Sequence, residues 1–391
     1  MLGTATATWA ARLPAIKTAL HLSDARLGLA LFAVPAGSVL TLPVSGRIAD
    51  RFGAARVTRI AGAATPAALI PIGLGPATGR LAVLVAALAC YGAVAGLLDV
   101  SMNACGAKLE MAYGRPILSS LHAGYSIAGL AGAGIGGLSA WLGFGPLPTF
   151  AATAVVLIAG GLLAGRWLVI PPAPCASPGG RPPAPPSGGM TPPNPPGAPA
   201  REGAHPHRYP PWAIIWILGL LALCGQVGEG SAGDWSAVYL HNDLGTSAGV
   251  AAAGLAAFSV TMAAGRAVGD RLAARFGPVR LVRVSGLLAG LGLAAGLLIG
   301  TPAGAIAGFA LLGVGLAGIF PQIVSSAVRL DPSRAGRNIG RIAAVAYSGL
   351  LGGPVVIGAA ASGVGLRDAL FIPAGLAVLI AAAAAVLRPR P

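Results

Sequence analysis

Seven polar side chains occur inside stretches of this chain that are otherwise apolar, and four of the seven are carboxylic acids or histidine. An ionisable group within lipid costs at least about 2.5 kcal/mol, so it normally faces a cavity or a partner. A carboxyl group in a low-dielectric cavity favours its protonated form, which suits it to carry a proton. These residues therefore predict a polar site inside the molecule. Its candidate members are Asp99, Asn103, His122, Tyr125, Gln226, Glu229 and Asp234.

The ionisable candidates differ in how well a purely structural role explains them. Asp99 lies toward one end of its apolar stretch, where it could cap a helix or pair with Arg115. The histidine lies near the membrane–water interface, where a hydrogen-bonded structural role explains it as well as a role in solute binding. Asp234 adjoins Trp235, and tryptophan commonly anchors a span at the membrane surface. Glu229 is the first choice for a proton carrier, because no structural role explains it as simply.

Membrane-spanning helices must hold these residues in place. Of the 391 residues, 55% are hydrophobic and 9% are charged, and the mean hydropathy is +0.78. A soluble domain carries about a quarter charged residues, whereas runs of about 20 apolar residues cross a bilayer as helices. The composition thus predicts an all-α polytopic membrane protein. Eleven spans are predicted, at 25–46, 57–76, 81–105, 118–141, 146–170, 212–234, 246–268, 281–300, 303–328, 339–363 and 368–387.

The first residues, "MLGTATATW", are apolar but too few to cross a bilayer. They are interpreted as the end of a further, first helix. The expectation is that Met1 lies inside that helix and that about 15 more apolar residues precede it.

Charge and proline content divide and orient the chain. Residues 171–211 contain 16 prolines and no apolar period, which predicts a solvated linker between the bundles 1–170 and 212–391. Placing this linker in the cytoplasm leaves 21 of the 26 lysines and arginines on the same side, as the positive-inside rule requires. The carboxyl terminus is then cytoplasmic too. The net charge of +15 is accounted for by these loops, so nucleic acid is not an expected partner.

One basic segment occurs twice. "GRIADRFGAARVTR" at 46–59 and "DRLAARFGPVRLVR" at 270–283 share seven positions, 224 residues apart. Trp9 and Trp235 also correspond, as do Tyr125 and Tyr347. Repeats of the same orientation are found in the two halves of some secondary transporters. The chain is therefore predicted to contain one six-helix unit twice.

The first segment resembles the signature Gly-x-x-x-Asp-Arg-x-Gly-x-x-Arg of the major facilitator superfamily. Its matching residues are Gly46, Asp50, Arg51, Gly53 and Arg56. Stretches such as "DVSMNACGAKLE", "LSSLHAGYS" and "GEGSAGDWSAVYL" resemble the YbjJ-type branch of the bacterial inner membrane. The resemblance implies two six-helix bundles that rock around a central cavity, with the first helix truncated here.

The signature has the properties of a cytoplasmic gate. Asp50 ends a span, where it can accept hydrogen bonds from arginines and from helix amino termini. In the second half the acid is Asp270, one turn before the aligned Ala274 and spaced to pair with Arg266. The alternative is an anchor for topology without a gating role. The predicted gate residues are Gly46, Asp50, Arg51, Gly53, Arg56, Arg266, Asp270 and Arg271.

Two departures from the family bear on function. "LACYGAVAG" lacks the arginine that begins the helix 4 signature of many proton-coupled members, and a Gly-Pro motif occurs in helix 11 instead of helix 5. Both argue against a drug/proton antiporter. The expected function is secondary transport of a small polar organic solute, with sugars and proton coupling as the first choices. The alternatives are a multidrug or metabolite exporter and a non-transporting membrane sensor or interaction protein.

Other classes of site are not expected from the sequence. It has no nucleotide loop, no metal-ligand cluster and no spacing of nucleophile and base, so neither an enzyme nor a cofactor is predicted. The expected partners are the solute, protons and the lipid bilayer, and the expected state is a monomer in the bacterial inner membrane.

Overall fold

The computed structural model describes residues 1–168 and 210–388, which are helical in both halves. The predicted linker 171–211 lies outside the described residues, apart from its last two positions. The first half contains α1 (Leu2–Ala10), α2 (Leu13–Ala19), α3 (Asp24–Leu31), α4 (Ala33–Phe52), α5 (Ala54–Ala67), α6 (Leu69–Thr78), α7 (Leu81–Tyr113), α8 (Leu118–Trp141) and α9 (Pro146–Gly165). The second half contains α10 (Pro211–Val238), α11 (Ala248–Ile299), α12 (Pro302–Leu316), α13 (Ile319–Leu330), α14 (Ala335–Val364), α15 (Leu366–Ala369) and α16 (Phe371–Ala383). A π-helical turn, Tyr239–Asp243, and two 3-10 turns, Pro332–Arg334 and Ala384–Leu387, complete the second half.

The number of spans agrees with the sequence. Among the described residues, nine helical segments are long and apolar enough to cross a membrane. One of them, Gly249–Ile299, has 51 residues and bends at Gly277, so it supplies two crossings. Helix α8 is less apolar, but its 24 residues span about 36 Å. With these two additions the described chain crosses eleven times, in an all-α polytopic fold.

The repeated basic segment is helical almost throughout, which corrects the predicted span ends at 46 and 57. Helix α4 continues to Phe52 and α5 begins at Ala54, because alanine and arginine favour helix. The turn is a single residue, Gly53, at φ 85°. Gly277 forms the equivalent bend at φ 75°. Glycine adopts positive φ without steric cost, so these two positions allow each half to reverse direction abruptly.

Three buried apolar clusters hold the helices together. One lies within each half, around Leu88 in the first and Phe309 in the second. The third, hereafter the gate cluster, joins the two halves. Its largest members are Leu42, Val100 and Leu118 from the first half and Val324, Val328 and Ile339 from the second.

Candidate functional site

A cavity of about 570 Å³ lies between the two halves. Its size is in the range of small-molecule sites. Both halves contribute polar side chains, and six of the seven candidates from the sequence line it. The polar lining residues are Thr58, Asp99, Asn103, His122, Tyr125, Gln226, Glu229, Arg266 and Tyr347. Asp234 is the candidate that lies elsewhere, with its side chain exposed.

Asp99 and Asn103 form the polar centre of the first half. They lie one turn apart on α7, and the Asn103 amide nitrogen donates to the Asp99 carboxylate at 3.1 Å and to its backbone oxygen at 2.9 Å. The pairing with Arg115 that the sequence left open is not seen. Arg115 instead lies 4.5 Å from the centre of the Tyr113 ring and donates to the Tyr113 hydroxyl. Among the described residues no cation is within ion-pair distance of Asp99.

Glu229 and Arg266 form the charged centre of the second half. Glu229 is on α10 and Arg266 is on α11, and their closest nitrogen and oxygen atoms are 3.9 Å apart. Arg266 also donates to the Ser126 hydroxyl of the first half at 3.3 Å. This corrects the prediction that Arg266 pairs with Asp270 at the gate. The Asp270 carboxylate is occupied by backbone amides one turn further along, which leaves Arg266 directed to the cavity.

Aromatic side chains line the cavity next to these charges. The His122 ring packs edge-on against Phe320 at 5.8 Å between centroids, and its Nδ1 lies 2.9 Å from the Leu118 carbonyl oxygen. Tyr125 and Tyr347 come from equivalent helices of the two halves. The sequence analysis noted Tyr347 only as the repeat of Tyr125. The repeat itself was the signal that it belongs to the site.

Two carboxylates hold the halves together at one end of the molecule, and we call each carboxylate with its two amide partners a latch. We call this end the basic end; it contains the turns at Gly53, Gly114, Gly277 and Pro332–Arg334. Asp50 accepts from the backbone amides of Gly336 at 2.8 Å and Arg337 at 2.9 Å, at the start of α14. Asp270 accepts from the amides of Ser119 at 2.8 Å and Ser120 at 2.7 Å, at the start of α8. Each acid therefore binds a helix amino terminus of the opposite half, where the helix dipole favours negative charge.

Two further acids at the basic end cap a helical segment of their own half: Glu110 caps the start of α8, and Asp331 caps the 3-10 turn that precedes α14. Glu110 is 6% exposed and accepts from the amides of Ile117 at 3.0 Å and Leu118 at 3.1 Å. Its other carboxylate oxygen lies 3.7 Å from Arg329 of the second half. Asp331 accepts from the amides of Ser333 and Arg334. Glu110 ends "KLE" at 108–110 and Asp331 ends the similar "RLD" at 329–331, and the sequence analysis assigned neither acid a role.

The remaining gate candidates have different environments. An added Cβ at Gly46 would clash with the Gly336 carbonyl oxygen, so this glycine lets α4 and α14 touch through their backbones. The side chains of Arg51, Arg56 and Arg271 are exposed. Asp50 thus accepts from backbone amides, and its arginine contact is the amide of Arg337.

Comparisons with known proteins agree with this architecture. Residues 1–330 and 235–391 match the family model described as Major Facilitator Superfamily. The uncharacterized transporter y4wD of Sinorhizobium fredii is 33% identical over 97% of this chain and 94% of its own length. An uncharacterized MFS-type transporter of Yersinia pestis is 31% identical over 98% of this chain and 92% of its own. Neither name assigns a branch, so the YbjJ-type branch stays a prediction.

Solved structures of low sequence identity share the fold. FucP in its outward conformation superposes with a TM-score of 0.73 at 16% identity, covering 99% of this chain and 96% of FucP. A bacterial homologue of the iron transporter ferroportin, in an outward-facing state, gives 0.67 at 18% identity, covering 99% and 95%. The proton:xylose symporter XylE gives 0.63 at 13% identity, covering 97% and 91%.

Proposed function

Because this chain belongs to the Major Facilitator Superfamily, whose members are transporters and not enzymes, we propose that its cavity carries a small polar organic solute across the membrane. The halves rock about the cavity, as in other transporters built from two repeats. The observation that supports this most is a cavity whose polar and ionisable side chains come from both halves, next to two latches that join those halves at the basic end. The basic end faces the cytoplasm of the bacterial inner membrane, in accordance with the positive-inside rule.

Proton coupling through Asp99 is the second part of the proposal. The contacts favour Asp99 over Glu229, the first choice from the sequence. Glu229 has Arg266 as a partner at 3.9 Å, whereas Asp99 has the neutral amide of Asn103. A carboxyl group that no cation neutralises in a cavity of low dielectric constant gains most from binding a proton. Two structural neighbours are described as proton symporters of sugars, fucose for FucP and xylose for XylE, which supports a sugar-like solute.

A metal ion is a less suitable cargo, although one structural neighbour is a homologue of an iron transporter. In the described part of the chain, no group of three histidine, cysteine or acidic side chains is arranged to hold a metal ion. Asp99 and Glu229 lie on opposite halves, and the neighbour of each is already an amide or a guanidinium.

Flux through the purified protein tests the proposal. In proteoliposomes, at least one polar solute from a panel of sugars and sugar acids should accumulate when a pH gradient is applied. Collapse of the gradient should reduce the uptake to equilibration. Flux of apolar cations alone would favour the multidrug exporter, and the absence of flux for every solute would favour the sensor or interaction protein.

A further inference from the structure

Arg266 has too few acceptors for a guanidinium that is 86% buried, since only 14% of its side chain is exposed. Its five N–H groups contact two side chains, the Ser126 hydroxyl at 3.3 Å and the Glu229 carboxylate at 3.9 Å. The second distance is too long for a hydrogen bond. The buried Nε has no acceptor at all. Such unsatisfied donors are costly in a low-dielectric interior.

Position distinguishes Arg266 from the other arginines with an unpaired Nε. Arg12 and Arg337 also have a buried Nε without an acceptor. Neither lines the cavity, and Arg12 donates to the Phe144 carbonyl oxygen. Arg266 lines the cavity together with Tyr125, Gln226 and Asn103, whose side chains can hydrogen-bond hydroxyl groups.

We propose that the transported solute carries a carboxylate that Arg266 binds, and that its other polar groups are hydroxyls. This inference rests on the proposed transport function and names the class of solute. A guanidinium fork matches a carboxylate in two parallel hydrogen bonds, which satisfy Nε and one terminal nitrogen at once. The solute is therefore a polyhydroxylated acid of the sugar-acid type, with Tyr125, Tyr347, Asn103 and Gln226 beside its hydroxyls.

The charges of the cavity connect this class to proton coupling. With Asp99 and Glu229 ionised and Arg266 cationic, the cavity carries one net negative charge, before His122 is counted. An anion enters such a cavity more readily after one or both acids have bound a proton. Acidification of the solute side should therefore increase binding of the acid more than binding of its neutral analogue. The titratable groups that line the cavity with Arg266 are Asp99, Cys105, His122, Tyr125, Glu229 and Tyr347.

Matched pairs of solutes test the proposal on the full-length purified protein. The probes are gluconate with glucitol, glucuronate with glucose and galacturonate with galactose, measured by thermal shift and calorimetry. At least one acid should bind ten-fold or more tightly than its neutral analogue. Arg266→Gln should remove about 10- to 100-fold of that preference, the effect of one or two charged hydrogen bonds. Arg266→Lys, which keeps the charge but not the fork, should remove part of it.

Two control variants separate binding from a structural ion pair. Glu229→Gln frees Arg266 and removes one negative charge from the cavity, so the preference for the acid should be retained or increased. If Arg266 and Glu229 formed only a structural ion pair, Arg266→Gln and Glu229→Gln would lower binding equally. Arg283→Gln alters an exposed arginine of the same helix and should change nothing. The proposal is overturned if no acid binds more tightly than its analogue, including the case in which none binds. If no acid is preferred but neutral solutes are still transported, the proposed transport function holds and only the class of solute is wrong. If no solute is transported, the proposed transport function is wrong too.

Discussion

Replacing both latch acids, in the variant Asp50→Ala/Asp270→Ala, should release the basic end and expose the gate cluster. Each carboxylate accepts two backbone hydrogen bonds from a helix start of the opposite half. A hydrogen bond to a charged group contributes about 1.5–3 kcal/mol. Even a loss of about 2 kcal/mol per latch shifts the ratio of open to closed forms by about three orders of magnitude. The chain should still insert, because the apolar spans are unchanged.

Thiol labelling measures this shift. Ala104 is 0% exposed in the gate cluster, so Ala104→Cys in a cysteine-free background should react with a water-soluble reagent only after the basic end opens. The rate should increase steeply in the double variant and driven transport should be lost. The matched control is Asp331→Ala, which removes a helix cap within one half and leaves both latches intact. Equal labelling of the double variant and the parent would show that the acids only anchor the topology.

Asp99→Asn should separate exchange of the solute from its accumulation. The amide mimics the protonated carboxyl group permanently, so the loaded carrier can still reorient and exchange solute across the membrane. Accumulation driven by a pH gradient should be lost, because the residue cannot release its proton. Both activities are measured in the same proteoliposomes, by counterflow and by uptake under a gradient.

The corresponding control is Glu229→Gln. With Asp99 intact, this variant should retain at least part of its gradient-driven accumulation. Loss of both exchange and accumulation in Asp99→Asn would make Asp99 a direct solute ligand or a structural partner. Unchanged accumulation in Asp99→Asn would remove it from the coupling mechanism.

Periodicity and repetition in the sequence are sufficient to predict the helical frame. Charge-free runs mark the spans, and α8 begins and ends at the predicted residues 118 and 141. The 224-residue repeat places Gly53 and Gly277 at equivalent turns. The ends of α4 and α5 were misplaced, because a basic segment was taken for a loop although only one of its residues breaks the helix.

Which partner a charged residue contacts depends on the helices packed beside it. A single sequence does not specify this packing. The spacing of Arg266 and Asp270 favours a local pair, but α8 offers Asp270 two free amides and α10 offers Arg266 a carboxylate. For the same reason Glu110 received no role, since its partners Leu118 and Arg329 lie on other helices. Three of the four acids and histidine noted in apolar spans, Asp99, His122 and Glu229, line the cavity. Such groups are costly in lipid unless they face a cavity or a partner.

Two-sided labelling of one cavity residue tests alternating access most directly. Gln226 lines the cavity, and Gln226→Cys in a chain without Cys90, Cys105, Cys175 and Cys224 provides a single thiol. An impermeant reagent should reach this thiol from either side of the membrane when applied to one side at a time. In the Asp50→Ala/Asp270→Ala variant, this thiol should react faster with reagent applied at the basic end than with reagent applied on the opposite side. Reaction from one side only, in both the parent and the latch variant, would contradict a cavity that opens alternately to the two sides.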